Sequence, residues 1–130
     1  MTVVLDSWAV LRLLEGTEPA ASRVQAELDG DLSPVMSWIN LGEVFYIVRR
    51  MQGHKAAQSV VRDLRPQLNL DLPDEERVLG AATIKAEHPM AYADAFAAAT
   101  ALAHQAPLFT GDPELLVPSA PWAYEDLRGS

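Results

Sequence analysis

Four carboxylates, Asp6, Glu43, Asp94 and Asp112, stand where acid chemistry could be built in this sequence. Asp6 closes one apolar run and Asp112 follows another, Asp94 stands at the head of an alanine-rich segment, and Glu43 lies one turn into a segment of helical period. Acids held within a few ångströms raise one another's pKa and cannot all stay ionised without a cation. Cysteine is absent, so a metal must be held by oxygen or imidazole, and coordination by Asp and Glu selects Mg²⁺ or Mn²⁺. Such an ion keeps several waters, is completed by substrate phosphate, and lowers the pKa of a water that can attack phosphorus. Phosphoryl chemistry is what the cluster implies. Singly, each Asp also reads as an ordinary cap or turn residue, with Asp112 before Pro113 a turn in its own right. Glu43 sits beside a buried stripe, where an unpaired acid is costly, and it is the convergence of four acids that argues for a site.

The elements that must position these residues follow from periodicity and punctuation. Thr2 to Leu5 reads as a strand buried on both faces. A helix from Trp8 to Glu15 is closed by Gly16, and Thr17 and Pro19 open a second, with face Ala20, Val24 and Leu28, that stops at Gly30. Leu32 to Met36 is a second strand, which Pro34 would place at an edge or a strand start. Trp38 to Met51 repeats apolar residues at Leu41, Val44, Phe45 and Val48, and after Gly53 the pattern resumes from His54 to Leu64, predicting a helical hairpin. Leu68, Leu70 and Leu72 alternate as a half-buried strand, and Pro73 with Asp74 starts a helix running to about Lys85. A close-packing helix spans about Ala93 to His104, Leu108 to Thr110 is a short strand, and Val117 to Tyr124 is a loop or an edge strand. This alternation predicts an α/β fold with a central, mostly parallel sheet covered by helices on both faces. In such sheets the functional crevice lies beyond the carboxyl ends of the strands, where three of the four acids fall.

The chain has the length of one domain, residues 1–130, with 49% apolar and 22% charged residues, the composition of an ordinary folded protein. Its start is unlike a secretory signal, and its longest nearly apolar stretch, Ala95 to Ala103, is too short to span a bilayer. A cytoplasmic, membrane-free protein is expected. Eighteen acids against ten bases give a formal charge of −8, which argues against indiscriminate coating of nucleic acid and equally fits a basic partner or acids clustered at a cation site. A polyanionic substrate would need a local basic strip, and Arg49, Arg50, Lys55, Arg62 and Arg65, with His54, supply one across the helical hairpin. Trp8, Trp38 and Trp122 could stack on unpaired bases, although their apolar settings favour packing. His54, His88 and His104 lack metal-ligand spacing and read as surface or capping residues.

Four segments resemble, in order, the motifs of PIN-domain toxins of the VapC type. They are Asp6-Ser7 after an apolar strand, Ser37 to Val44, Ala93 to Ala99, and Leu108 to Leu115. The resemblance implies a PIN fold and Mg²⁺- or Mn²⁺-dependent endonucleolytic cleavage of RNA by metal-activated water, with the acidic site on Asp6, Glu43, Asp94 and Asp112. It also implies that Ser7, Asn40 and Thr110 support the carboxylates by hydrogen bonding. Similar proteins pair with a small antitoxin that enters the active-site groove, and commonly form homodimers. Two other readings compete: a phosphatase or phosphotransfer domain with Asp6 as nucleophile, and a non-catalytic binding module that keeps the fold. The first is weakened by Trp8 where a second acid is usual.

Overall fold

A computed structural model describes residues 2–129. The four short strands β1 (Val4–Leu5), β2 (Val35–Ser37), β3 (Asn69–Asp71) and β4 (Leu108–Thr110) are joined by β5 (Tyr124–Asp126) into one sheet of order β3-β2-β1-β4-β5. Every pairing is parallel. Chain order runs outward from β1 in one direction through β2 and β3 and in the other through β4 and β5. The reversal between β1 and β4 is the place where such sheets open a crevice.

Six helices cover the sheet: α1 (Ser7–Glu15), α2 (Ala20–Leu28), α3 (Trp38–Gln52), α4 (His54–Leu64), α5 (Glu75–Glu87) and α6 (Tyr92–His104). Alternate strand residues point to opposite faces, so the core divides in two. Val3, Leu5, Met36 and Phe109 face a cluster with Val10, Val24, Leu41 and Val44 of α1 to α3. Val4, Val35 and Leu108 face a second cluster with Ala81 and Ile84 of α5 and the alanines of α6. Those alanines let α6 lie close on the sheet.

Local chemistry sets the boundaries. Gly16 takes the left-handed conformation (φ 72°) that ends α1, and its N–H caps the Arg12 and Leu13 carbonyls. Asp74 caps α5 by accepting from the Arg77 N–H at 2.8 Å. Three segments that the sequence leaves open or places loosely take definite bounds. Of the two places open to Pro34, an edge or a strand start, the structure takes the second: β2 is interior and begins at Val35, because Pro34, which lacks a donor, precedes the ladder and only accepts, from the Asn69 N–H. β3 ends at Asp71, so Leu72 leaves the sheet and is 77% exposed. The loop after Val117 does lead to an edge strand, but only from Tyr124 to Asp126.

His104 is not a plain surface residue. Its Nε2 lies 2.7 Å from Asp71 Oδ2, while Arg77 Nη1 donates to Asp71 Oδ1 at 2.7 Å, tying β3, α5 and α6 together. These two hydrogen bonds outweigh the cost of partial burial and hold the Asp71 carboxyl below its ordinary pKa. Among the described residues no helix is long and apolar enough to cross a membrane.

Candidate active site

Asp6 follows β1 directly and becomes the N-cap of α1, with extended backbone and Oδ1 accepting from the Ala9 N–H at 2.8 Å. Its other oxygen, Oδ2, accepts from Thr110 Oγ1, the hydroxyl that ends the neighbouring strand β4. The register that pairs Leu5 with Phe109 places these two residues side by side. Although both oxygens are hydrogen-bonded, Asp6 is only 1% exposed. Burial dominates, and with the charges of Asp112 and Glu43 it overcomes both hydrogen bonds and pushes the carboxyl up to about 7.

Asp94 sits in the first turn of α6 and is 8% exposed. Burial, then the neighbouring charges of Asp112 and Asp6, raise it to about 8, with a smaller contribution from Glu43. Two buried acids, each raised partly by the charges of the others, mark the group as a candidate site for a positive charge.

Asp112 closes the group from the β4 side. Its N–H donates to Thr110 Oγ1 at 3.0 Å, and its Oδ1 accepts from the Glu114 N–H at 2.9 Å. It is thus the turn residue expected of an Asp before Pro, with its second oxygen left over. The turn also brings up Glu114, whose Oε1 lies 3.4 Å from the Ala91 N–H at the start of α6. That helix has no side-chain cap of its own. Carboxylate oxygens of Asp94, Asp112 and Glu114 all lie within 4.8 Å of one another.

Glu114 was not singled out from the sequence. Its only signal was the acid pair spaced by one residue, Asp112-Pro113-Glu114, in a tight turn after a strand. Asp6 and Glu43 stand outside this tightest set, yet their charges act on it. Glu43, half-buried on α3, accepts a long hydrogen bond (3.4 Å) from the Tyr46 hydroxyl.

Of the three expected supporting residues, only Thr110 contacts a carboxylate. Ser7 Oγ donates instead to the Asn40 carbonyl at 3.1 Å, and Asn40 Nδ2 donates to the Ala93 carbonyl at 2.9 Å. The expectation for these two is corrected. Both are buried where backbone carbonyls are the nearer acceptors, so they join α1 to α3 and α3 to the start of α6. They hold the acids' backbones in place without touching the acids. Asn40 Oδ1 is buried without a partner among the described residues, a costly state unless a further polar group completes the site.

The donor set is all oxygen, crowded and under-compensated, and therefore fits a hard divalent cation such as Mg²⁺ or Mn²⁺. Thr110→Val keeps the side chain's shape but removes the donor to Asp6, which moves that carboxyl still higher. Divalent-ion affinity is expected to fall about tenfold or more, with the pH midpoint of binding moved upward. Calorimetric titration with Mn²⁺ at pH 7 and pH 8.5 measures both, and unchanged affinity would make Thr110 merely structural.

A groove of about 690 Å³ lies between α5 and α6 and is lined by Arg77, Ile84, Glu87 and Leu102 but by none of these acids. The tryptophans are packed: Trp122 is buried with its indole N–H on the Leu115 carbonyl, Trp8 lies under Arg12 and Trp38 under Arg65. The hairpin bases Arg49, Arg50, Lys55, Arg62 and Arg65 are all exposed. Of these bases only Arg62 has a carboxylate partner among the described residues, Asp63 at 3.4 Å.

A family model described as PIN domain matches residues 3–118. No curated protein matches the sequence significantly. Among solved structures the chain is similar to VapBC-1 from nontypeable Haemophilus influenzae, at 23% identity and TM-score 0.72 over 98% of each chain. It is similar to DNA-bound VapBC from Salmonella typhimurium, at 18% identity and TM-score 0.76 over 98% of this chain and 99% of that one. A third is VapC20 of Mycobacterium tuberculosis, described as a sarcin-ricin loop cleaving toxin, at 17% identity and TM-score 0.70 over 85% of this chain and 89% of that one. At these identities the likeness establishes a shared fold.

Proposed function

The chain belongs to the PIN domain family, and from that premise we propose that it is a Mg²⁺- or Mn²⁺-dependent endoribonuclease, the toxin of a toxin-antitoxin pair. The observation that carries the reading is the meeting of Asp6, Glu43, Asp94 and Asp112, joined by Glu114, at the carboxyl edge of β1 and β4, with Asp6 and Asp94 buried and raised in pKa. Asp94, Asp112 and Glu114 would hold the ion most directly, with Asp6 and Glu43 completing the negative field. A divalent ion bound there lowers the pKa of water and offsets the charge that develops on phosphate oxygens. The chain's own part is positional. Thr110 and the Ala9 N–H fix the Asp6 carboxylate, the Asp112 turn sets Glu114, and Ser7 and Asn40 hold the helix starts that present Glu43 and Asp94.

RNA lies across the exposed bases of the α3–α4 hairpin, where Arg49, Arg50, Lys55, Arg62 and Arg65 answer the phosphates that a chain of charge −8 otherwise repels. A small antitoxin is the natural inhibitor, since an arginine or lysine reaching these acids forms charge-assisted hydrogen bonds. Solved neighbours described as toxin-antitoxin complexes support such a partner, and a homodimer in the cytoplasm is the working assembly. The Asp6 carboxyl, buried and engaged at both oxygens, is poorly placed to attack phosphorus, so the phosphotransfer reading loses ground.

The test is incubation of total RNA with the purified protein in Mg²⁺ or Mn²⁺, beside EDTA and an Asp6→Asn variant. Cleavage lost in both controls is the expected result, and its fragment ends identify the target. Cleavage that persists in both would overturn the carboxylate mechanism. Divalent-ion binding without cleavage would favour a binding module.

A further inference from the structure

We propose that Tyr46, backed by Arg50, is the residue on which an unpaired base next to the cleaved phosphate stacks. The proposal rests on the nuclease reading. The three tryptophans are committed to packing, whereas Tyr46 is a large aromatic side chain left 44% exposed within one turn of Glu43. Ile39, Glu43, Tyr46 and Arg50 recur at helical spacing along α3, so they form one row leading from the acids toward the basic hairpin. Ile39 is exposed as well.

The Tyr46 hydroxyl reaches Glu43 Oε2 at 3.4 Å, and the Arg50 guanidinium lies 5.0 Å from the centre of the Tyr46 ring. The ring is thus oriented at both ends while much of it stays in water. Among the described residues Arg50 has no carboxylate partner, so its charge is available for a phosphate while the guanidinium backs the ring. Aromatic face, free guanidinium and adjacent acidic site together suit a single strand, whose bases are free to stack, and not a duplex, whose bases are already stacked.

The experiment uses Asp6→Asn protein in Mg²⁺, so that RNA is bound but not cut. The probe is a set of ten-nucleotide single-stranded RNAs carrying one 2-aminopurine, with the same strands annealed to their complements as the duplex arm. Binding is read by anisotropy and stacking by quenching of 2-aminopurine emission. Adding Tyr46→Ala is expected to weaken single-strand binding about tenfold or more and to abolish quenching, whereas adding Tyr46→Phe leaves both near the parent. Equal loss in the Phe and Ala variants would overturn the proposal, assigning Tyr46 to positioning Glu43 through its hydroxyl. Unchanged binding in the Ala variant, or tighter binding of the duplex than of the single strand, would overturn it too. Total-RNA cleavage by wild-type protein is scored separately, so failure of stacking and failure of the nuclease reading are told apart.

Discussion

Asp94→Asn is expected to abolish RNA cleavage and, in the same molecule, to raise the melting temperature of the metal-free protein at pH 8. Both effects come from one cause. In the metal-free fold burial, and after it the charges of Asp112 and Asp6, push the Asp94 carboxyl well above the ordinary carboxylate range, up to about 8. Across that window the folded state holds a proton that the unfolded chain has released, so stability falls as pH rises. The stability is fully present below about pH 4 and is lost by the time pH passes the folded pKa. Asp6 adds a penalty of the same sign that ends near pH 7.

Asparagine carries no charge to bury, so the variant escapes this loss. A gain of even one kcal/mol corresponds to roughly 3–6 °C in a domain of this size. At pH 5 the advantage should shrink toward zero. Divalent ion stabilises the wild type at pH 8 by mass action and releases protons as it binds, whereas the variant, missing a ligand, responds weakly. Cleavage should fall by at least about a hundredfold, the usual cost of removing a group that serves the transition state's charge. Thermal melts at pH 5 and pH 8, with EDTA and with Mg²⁺, test the stability half. A variant that melts lower than wild type at pH 8 without metal, or that still cuts RNA, would contradict this account.

Gly111→Ala is expected to be the most damaging single-methyl change in the chain. A Cβ at position 111 would lie 2.3 Å from Cη2 and from Cζ2 of Trp8 and 2.7 Å from its Cε2. No backbone conformation peculiar to glycine is involved; the obstacle is the rigid face of an indole. The ring has little freedom to retreat, because Arg12 lies over it at 4.7 Å and Gly16 ends the same short helix one turn later.

Overpacking of this kind typically costs about 1–3 kcal/mol. Here the strain is applied between Thr110, which holds Asp6, and Asp112, which turns toward Asp94. A displacement of about 1 Å at such a place can cost a hundredfold in rate. The double variant with Trp8→Leu separates the causes: if the clash is responsible, adding Gly111→Ala to Trp8→Leu should cost almost nothing further. A singly substituted protein with wild-type melting temperature and activity would show that the turn relaxes freely.

Much of this architecture could be read along the chain because its determinants are local. Gly16 and Gly53 end helices, Asp74 starts one, and the period of α3 is written in Leu41, Val44 and Val48. The positions of Asp6 and Asp112 followed from a rule of parallel sheets, that loops after the strands gather at one edge. Boundaries set by neighbours were less legible. Pro34, which cannot donate, leaves β2 either an edge or a strand that starts beside it, and only pairing with β3 and β1 decides for the interior strand whose ladder begins one residue later. Leu72 continued an alternation that the sheet did not use.

What the sequence determined by itself was therefore the inventory: which acids exist, which elements carry them, and that no thiolate competes for a metal. Only the tertiary structure decided how the inventory is used. It paired Thr110 with Asp6 across 104 residues, turned Ser7 and Asn40 onto backbone carbonyls, drew Glu114 into reach of Asp94, and closed Trp8 over Gly111. Each of these depends on the register and separation of packed elements, quantities of a few ångströms that residue type and periodicity along a single chain do not encode.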